Sequence, residues 1–277
     1  MPHLTIRLPE LEIEQLAIDP LWLGGDAFRT HLFNALSMSF PVGEKYFIDT
    51  ARDVRPLIPD SAQQEELRRF IGQESQHSRL HHLFNQRLES QGLRNVVEPI
   101  VSFRIRTSTW ISLKSRLAVA MAYEHFTAIL GDCLLTHDNW LMGTPSLLKR
   151  FWQWHAAEEA EHRALLFDAY QTLGGGYARR IGWFAYVSLL LALDMAVQTL
   201  LNLSKSRTLW RLKTVSETAT FLFGRTGVIQ AILPAWIRYW SPHFSPANPD
   251  SLKVAECWLA ENREFFRTVQ DRGDAVP

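Results

Sequence analysis

Two stretches of this chain carry a glutamate followed three residues later by a histidine: IGQESQHSRLHH, with Glu74 and His77, and WQWHAAEEAEHRALLFD, with Glu159 and His162. On a helix that spacing puts both side chains on one face. A carboxylate and a neutral imidazole so placed offer oxygen and nitrogen donors to a divalent cation. One such pair arises easily by chance, but two on separate long helices point to a shared task.

Two more glutamates stand in apolar surroundings. Glu124 sits in the middle of SRLAVAMAYEHFTAILGDCLLTH, apolar around almost its whole circumference, and Glu44 is the only glutamate between residues 27 and 52. A buried, unpaired carboxylate takes a proton or recruits a cation. Four carboxylates balance two divalent metals, and neutral His77 and His162 complete the donors without disturbing that balance. A set without thiolate suits iron, manganese or a mixed pair better than zinc.

Neighbouring residues widen the candidate set. His81 and His155 lie one turn from the two motifs on the same faces, as additional ligands, proton carriers or partners that hold a ligand. Glu158 competes with Glu159, being four residues from His162; the matched three-residue spacing favours Glu159, which leaves Glu158 or Glu161 to face solvent or pair with arginine. Thr127 is a candidate for proton delivery. Together with Ala120, Ala128 and Gly131 it makes a row of small residues that either leaves a cavity or lets helices pack closely. The metal-free alternative is a set of buried salt bridges to Arg79, Arg116 and Arg163.

These residues need helices to position them. Apolar residues recur at spacings of three and four from about residue 26, predicting helices over 27–52, 61–91, 106–137 and 146–173, then 178–204, 208–223, 226–240 and 250–270. The expected fold is all-α, with strands only near residues 3–8. Pro41 and Gly43 predict a kink or restart in the first helix. Ser61 and Ser146 are candidate N-caps, and Gly174 is the expected residue just past a helix end. Residues 1–25 read as an N-terminal extension, 26–176 as a four-helix di-metal bundle, and 177–277 as helices that pack on it as pocket cover or oligomer interface.

The order glutamate, Glu-x-x-His, glutamate, Glu-x-x-His resembles the ligand order of the ferritin-like di-iron carboxylate proteins. More narrowly, FPVGEKYF, FIGQESQHSRLHH, AYEHFTA and FWQWHAAEEAEHRALLFD are similar to a bacterial family described as predicted metal-dependent hydrolases, over about residues 25 to 240. The resemblance implies a ferritin-like bundle with Glu44, Glu74, His77, Glu124, Glu159 and His162 as metal ligands, the four glutamates acting in catalysis.

Lysine plus arginine equals aspartate plus glutamate at 29 each, so no global charge draws the chain to nucleic acid or anionic lipid, and binding to either would need a local patch. Cys133 and Cys257 lie far apart and suggest no disulfide framework, which with the lack of a secretion signal fits a cytoplasmic setting. Segment 181–203 is apolar, but Asp194 and Gln198 interrupt it. A buried or oligomer-interface helix is the expectation, with peripheral membrane contact through 181–213 and its basic run SKSRTLWRLK as the alternative, and a homodimer as one outcome. The expected activity is O2-dependent oxidation of a small apolar substrate at a di-iron centre, fed by an electron donor. Hydrolysis by a metal-bridging water is the alternative, and a non-catalytic metal-binding protein a third reading.

Overall fold

The computed structural model describes residues 4–108 and 110–269; expectations for residues 1–3 and 270–277 lie outside the described residues. The described chain is predominantly helical. Helices α1 (Ala27–Val54), α2 (Ser61–Ser90), α4 (Leu113–Thr136) and α5 (Ser146–His162) form the central group. Asp26, Asp60 and Ser112 cap the first three by accepting the backbone N–H of Arg29, Ala62 and Ser115, whereas α5 starts after Pro145. Ser61 and Ser146 are therefore first helical residues, not caps.

Side-chain pairings fix the helix directions. Gln73, His77 and His81 of α2 meet His162, Glu158 and His155 of α5, so these two helices run antiparallel. Ser37 and Pro41 of α1 meet His81 and Ser78 of α2, and Thr127 and Gly131 of α4 meet Glu159 and Ala156 of α5, again antiparallel. It follows that α2 and α4 point the same way. The long connection between them contains α3 (Val97–Thr107), which the sequence reading missed.

The helix expected over 106–137 is thus two elements, broken between Thr107 and Leu113. The helix expected over 146–173 breaks directly after His162 and resumes as α6 (Leu165–Thr172). At the break, the buried Arg163 guanidinium is held by Ala128 O, Asp132 and Ser251 Oγ, a tertiary demand that overrides local helix preference. Beyond α6, Gly174 takes φ +68° and its N–H bonds to Gln171 O while that of Gly175 bonds to Tyr170 O, the double closure that ends a helix at glycine.

Pro41 causes no restart. Lacking an N–H, it leaves Ser37 O without its usual intrahelical partner, and Asn85 Nδ2 of α2 supplies the bond at 2.9 Å. Asn95 Nδ2 also donates to Met38 O, at 2.8 Å. The expected helix over 250–270 also stops early. Helix α10 (Pro249–Glu261) gives way to strand β2 (Phe266–Thr268), which pairs antiparallel with β1 (Arg7–Pro9).

Helices α7 (Tyr177–Lys205), α8 (Leu212–Phe223) and α9 (Val228–Tyr239) follow the central group. Three stretches are long and apolar enough to cross a membrane by length and composition: Leu113–Thr136, Tyr177–Lys205 and Leu212–Tyr239. The first is the buried α4. On α7 only one face is buried, including Phe184, Asp194, Gln198 and Asn202.

Candidate metal centre

Four carboxylates and three imidazoles converge where α1, α2, α4 and α5 meet, all of them buried. Glu159 Oε1 lies 3.0 Å from His155 Nε2, 3.5 Å from His77 Nδ1 and 3.9 Å from His162 Nδ1. Glu74 Oε1 lies 2.9 Å from His162 Nδ1 and 3.6 Å from His77 Nδ1. Glu44 approaches His155 at 3.9 Å, and Glu124 approaches His162 at the same distance. Two groups could each hold a metal ion: Glu44, His77 and His155, and Glu74, Glu159 and His162. Glu74 and Glu159 lie between the groups, within reach of imidazoles from both.

Both oxygens of Glu44, Glu74 and Glu124 lack a hydrogen bond, as do Nδ1 of His77 and Nδ1 of His162. The 2.9 Å contact of His162 with Glu74 is close but misaligned for such a bond, as expected of two donors aimed at a third body. Leaving this many buried polar atoms unpaired costs several kcal/mol, more than surface ion pairs could offset. A pair of cations satisfies them together.

The outward nitrogens of the imidazoles decide what their inward nitrogens carry. His77 Nε2 donates to Glu158 Oε2 at 2.9 Å, and a carboxylate there only accepts. Gln73 uses its amide N–H groups on Thr5 O and Glu161, so its Oε1 accepts from His162 Nε2 at 2.9 Å. Asn85 Nδ2 is committed to Ser37 O, so Asn85 Oδ1 accepts from Ser37 Oγ, and Ser37 Oγ accepts in turn from His81 Nδ1 at 2.8 Å. His81 Nε2 then accepts from His155 Nδ1 at 2.7 Å. All three imidazoles turn a nitrogen inward, His77 and His162 through Nδ1 and His155 through Nε2, which lies 3.0 Å from Glu159 Oε1.

Electrostatics agree with that demand for positive charge. Burial raises Glu44 and Glu124 well above the usual carboxylate range, and the charges of Glu74 on the first and Glu159 on the second add to it. Burial also pushes on Glu74 and Glu159, but the facing imidazoles hold both below it. Burial would lower His77 and His162, yet Glu158 chiefly for the first and Glu74 for the second hold them up. Burial keeps His81 and His155 low. Without metal the carboxylates favour protons on His77 and His162, with which a cation bound there would compete.

A cavity of about 350 Å³ reaches the centre, with Glu44, Glu159, His155 and Thr127 at its wall. The rest is mainly apolar, from α1, α3, α4 and α7, with Phe47, Ile105, Phe126 and Leu191 among the contributors. Thr127 Oγ1 donates to Glu159, which leaves the other carboxylate oxygen turned to the imidazoles. Ala120, Ala128 and Gly131 do not line the cavity. Gly131 packs against the Ala156 backbone, where an added Cβ would come within 2.9 Å of Ala156 O.

The structure thus brings Glu44, Glu74, His77, Glu124, Glu159, His162 and His155 together and sets His81 one bond behind them. Glu158 lies outside the cluster, bonded to His77 and to Arg7 Nη1 at 3.0 Å, while Arg7 also grips Glu161 with both arms. The arginines of the metal-free alternative serve elsewhere: Arg116 with Asp53, Arg163 with Asp132, Arg79 with Gln76. The sequence reading missed Arg7, Gln73, Ser37 and Asn85. Asn85 was accessible, one turn beyond His81 on the same face, but nothing local marks Arg7, 151 positions from Glu158.

Fold and site together define an all-α protein with two adjoining His/Glu groups able to hold a dinuclear metal site. The chain belongs to the family described as predicted metal-dependent hydrolase, whose family model matches residues 5–250. No curated protein and no solved structure matched it.

Proposed function

We propose that this chain is a dinuclear metal-dependent hydrolase acting on an ester, amide or phosphoester in a largely apolar molecule. Its support is the convergence of three inward imidazole nitrogens on four carboxylates at the inner end of an apolar cavity, in a chain of this family. Glu44, His77 and His155 would hold one metal, Glu74, Glu159 and His162 the other, with Glu124 facing the second. Bound there, the metals supply Lewis acidity and lower the pKa of water to the neutral range. Glu158, Gln73 and His81 hold the imidazoles in the ligating tautomer. Thr127 orients Glu159, and the cavity walls select an apolar substrate and exclude bulk water.

A second reading, O2-dependent oxidation at a di-iron pair, draws support from the carboxylate-rich, thiolate-free donors. The helix directions, with α2 parallel to α4, also support kinship with ferritin-like bundles. This reading requires an electron donor.

The two readings separate under anaerobic conditions. Protein stripped of metal is reloaded with Mn(II), Zn(II) or Fe(II) and offered p-nitrophenyl esters and anilides of increasing acyl length. Metal-dependent turnover without oxygen is expected. Hydrolysis of no member of the series, with oxygen uptake by the iron-loaded protein alone once air is admitted, overturns the proposal in favour of oxidation.

A further inference from the structure

Helices α3, α7, α8 and α9 cover the side of the central group formed by α1 and α4. Helix α3 joins α7 through Arg104 and Asp194, at 2.5 and 2.9 Å, and through Gln198, which accepts the Val96 N–H at 2.9 Å. Helix α9 joins α7 through Trp236 Nε1 and Ser188 Oγ at 3.0 Å, and through Arg180 and Tyr239 O at 2.8 Å. It also packs His125 of α4 against Tyr239. The outward faces of these helices therefore look the same way.

Those faces are apolar. On α7, Tyr186, Leu189, Leu193, Val197 and Leu200 are exposed at helical spacing, a stripe of ~21 Å at 1.5 Å per residue. Ile100 and Phe103 of α3 flank it on one side, and Ile229, Leu233 and Ile237 of α9 on the other. Trp110 is 81% exposed and Trp210 88% exposed, aromatic residues of the kind that settle at a membrane–water boundary.

The surface is also locally cationic in a chain of zero net charge. Between residues 177 and 240 there are eight lysines and arginines and two acidic residues. Asp194 is buried against Arg104, and Glu217 is paired with Lys213. Lys205, Arg207, Arg211, Arg225 and Arg238 are exposed, complementary to anionic phospholipid headgroups and mutually repulsive across a pair of identical faces. Spanning does not fit: α8 and α9 have 12 residues each, ~18 Å against a hydrocarbon core of ~30 Å. Asp194, Gln198 and Asn202 also commit the inner face of α7 to the protein.

The cavity opens on this face. Trp110 and Tyr186 belong both to the cavity wall and to the exposed apolar surface, the second being 45% exposed. We propose that the face built by α3, α7, α8 and α9 seats in the plane of an anionic phospholipid bilayer, and that the cavity takes an acyl-chain lipid directly from it. The choice of lipid as substrate rests on the enzymatic reading above; the docking does not.

Flotation with vesicles of phosphatidylcholine alone, or with added phosphatidylglycerol, tests the docking on metal-loaded and metal-stripped full-length protein alike. Binding should rise about tenfold with the anionic lipid and fall by about as much in the triple variant Leu189→Glu, Leu193→Glu, Val197→Glu, with metal content unchanged. Protein eluted from vesicles by high salt should carry a pyrene-labelled acyl lipid away with it, an uptake lost in Val101→Trp, which narrows the cavity without weakening flotation. Absence of binding to either vesicle overturns the proposal, as does a dimer in sedimentation velocity that the triple variant dissolves. Vesicle binding without lipid uptake, or with uptake unchanged in Val101→Trp, overturns the lipid-substrate half alone. Failure of the stripped protein to take up metal on reloading, with vesicle binding intact, sinks the enzymatic reading and leaves the docking standing.

Discussion

His155 Nδ1 donates to His81 Nε2 across 2.7 Å, and this one bond decides which nitrogen His155 turns toward Glu44 and Glu159. Its direction is inherited. Pro41 frees Ser37 O, Asn85 fills it, and the orientation of the Asn85 amide passes through Ser37 and His81 to the centre. Asn85→Ala should release this tautomer control and weaken metal binding about 10- to 100-fold, as loss of partners behind ligands typically does. Competition titration with a chelating dye measures it; unchanged affinity would show that His155 takes no part in holding metal.

Glu44 and Glu124 each bury two oxygens without a hydrogen-bond partner. Glu44→Gln and Glu124→Gln should raise the melting temperature of the metal-free protein while lowering metal stoichiometry, because a site poised for cations is costly when they are missing. Calorimetry with metal analysis reads both, and a lower melting temperature in each metal-free variant contradicts the assignment.

Arg7 is the only arginine or lysine contacting the buried Glu158 among the described ion pairs, His77 being its other partner, and it shares its guanidinium with Glu161. Arg7→Ala strands a buried charge, so a loss of about 3 to 5 kcal/mol is expected in denaturant unfolding. Arg7→Lys should recover only part of it, since an ammonium lacks the fork that grips both carboxylates.

Two helix glycines should respond oppositely to alanine. Gly131 has Ala156 O within 2.9 Å of where a Cβ would stand, so Gly131→Ala should cost about 1 to 3 kcal/mol and loosen metal binding by pushing α4 from α5. Gly43 has nothing within 4 Å, and Gly43→Ala should gain up to ~1 kcal/mol from helix propensity. Thermal melts of the two proteins check the contrast.

Burial pushes His31 down to about 4. An imidazole in the unfolded chain titrates near ~6.5, so as pH falls from about 6.5 to about 4 the unfolded state binds a proton that the folded state refuses. Stability declines across that window and stays lost below it. His31→Gln should flatten this part of the acid profile in unfolding curves at about pH 7.5, 6 and 4.5.

The helices carrying the site were legible because their apolar periodicity is long, and Glu74/His77 and Glu159/His162 were legible from spacing alone. Tertiary demands obscured the remainder. Arg163 stops a helix because its guanidinium is wanted between α4 and α10. Pro99 reads as a breaker, yet it lies in the first turn of α3, where no intrahelical N–H is needed. Three-residue strands at 7–9 and 266–268 carry too little pattern to announce a partner so distant. The oxidation expected from the ligand set is less well supported than hydrolysis, and spacing alone could not separate them because both chemistries use carboxylates and imidazoles.

The small ribbon of β1 and β2 also sets an order of assembly. Arg7 is translated long before the strand that pairs with it and before Phe266, whose ring lies 5.7 Å from its guanidinium carbon. The ribbon that steadies the clamp on Glu158 and Glu161 therefore closes only after translation has passed residue 268, and a shorter chain holds Arg7 without its pairing strand.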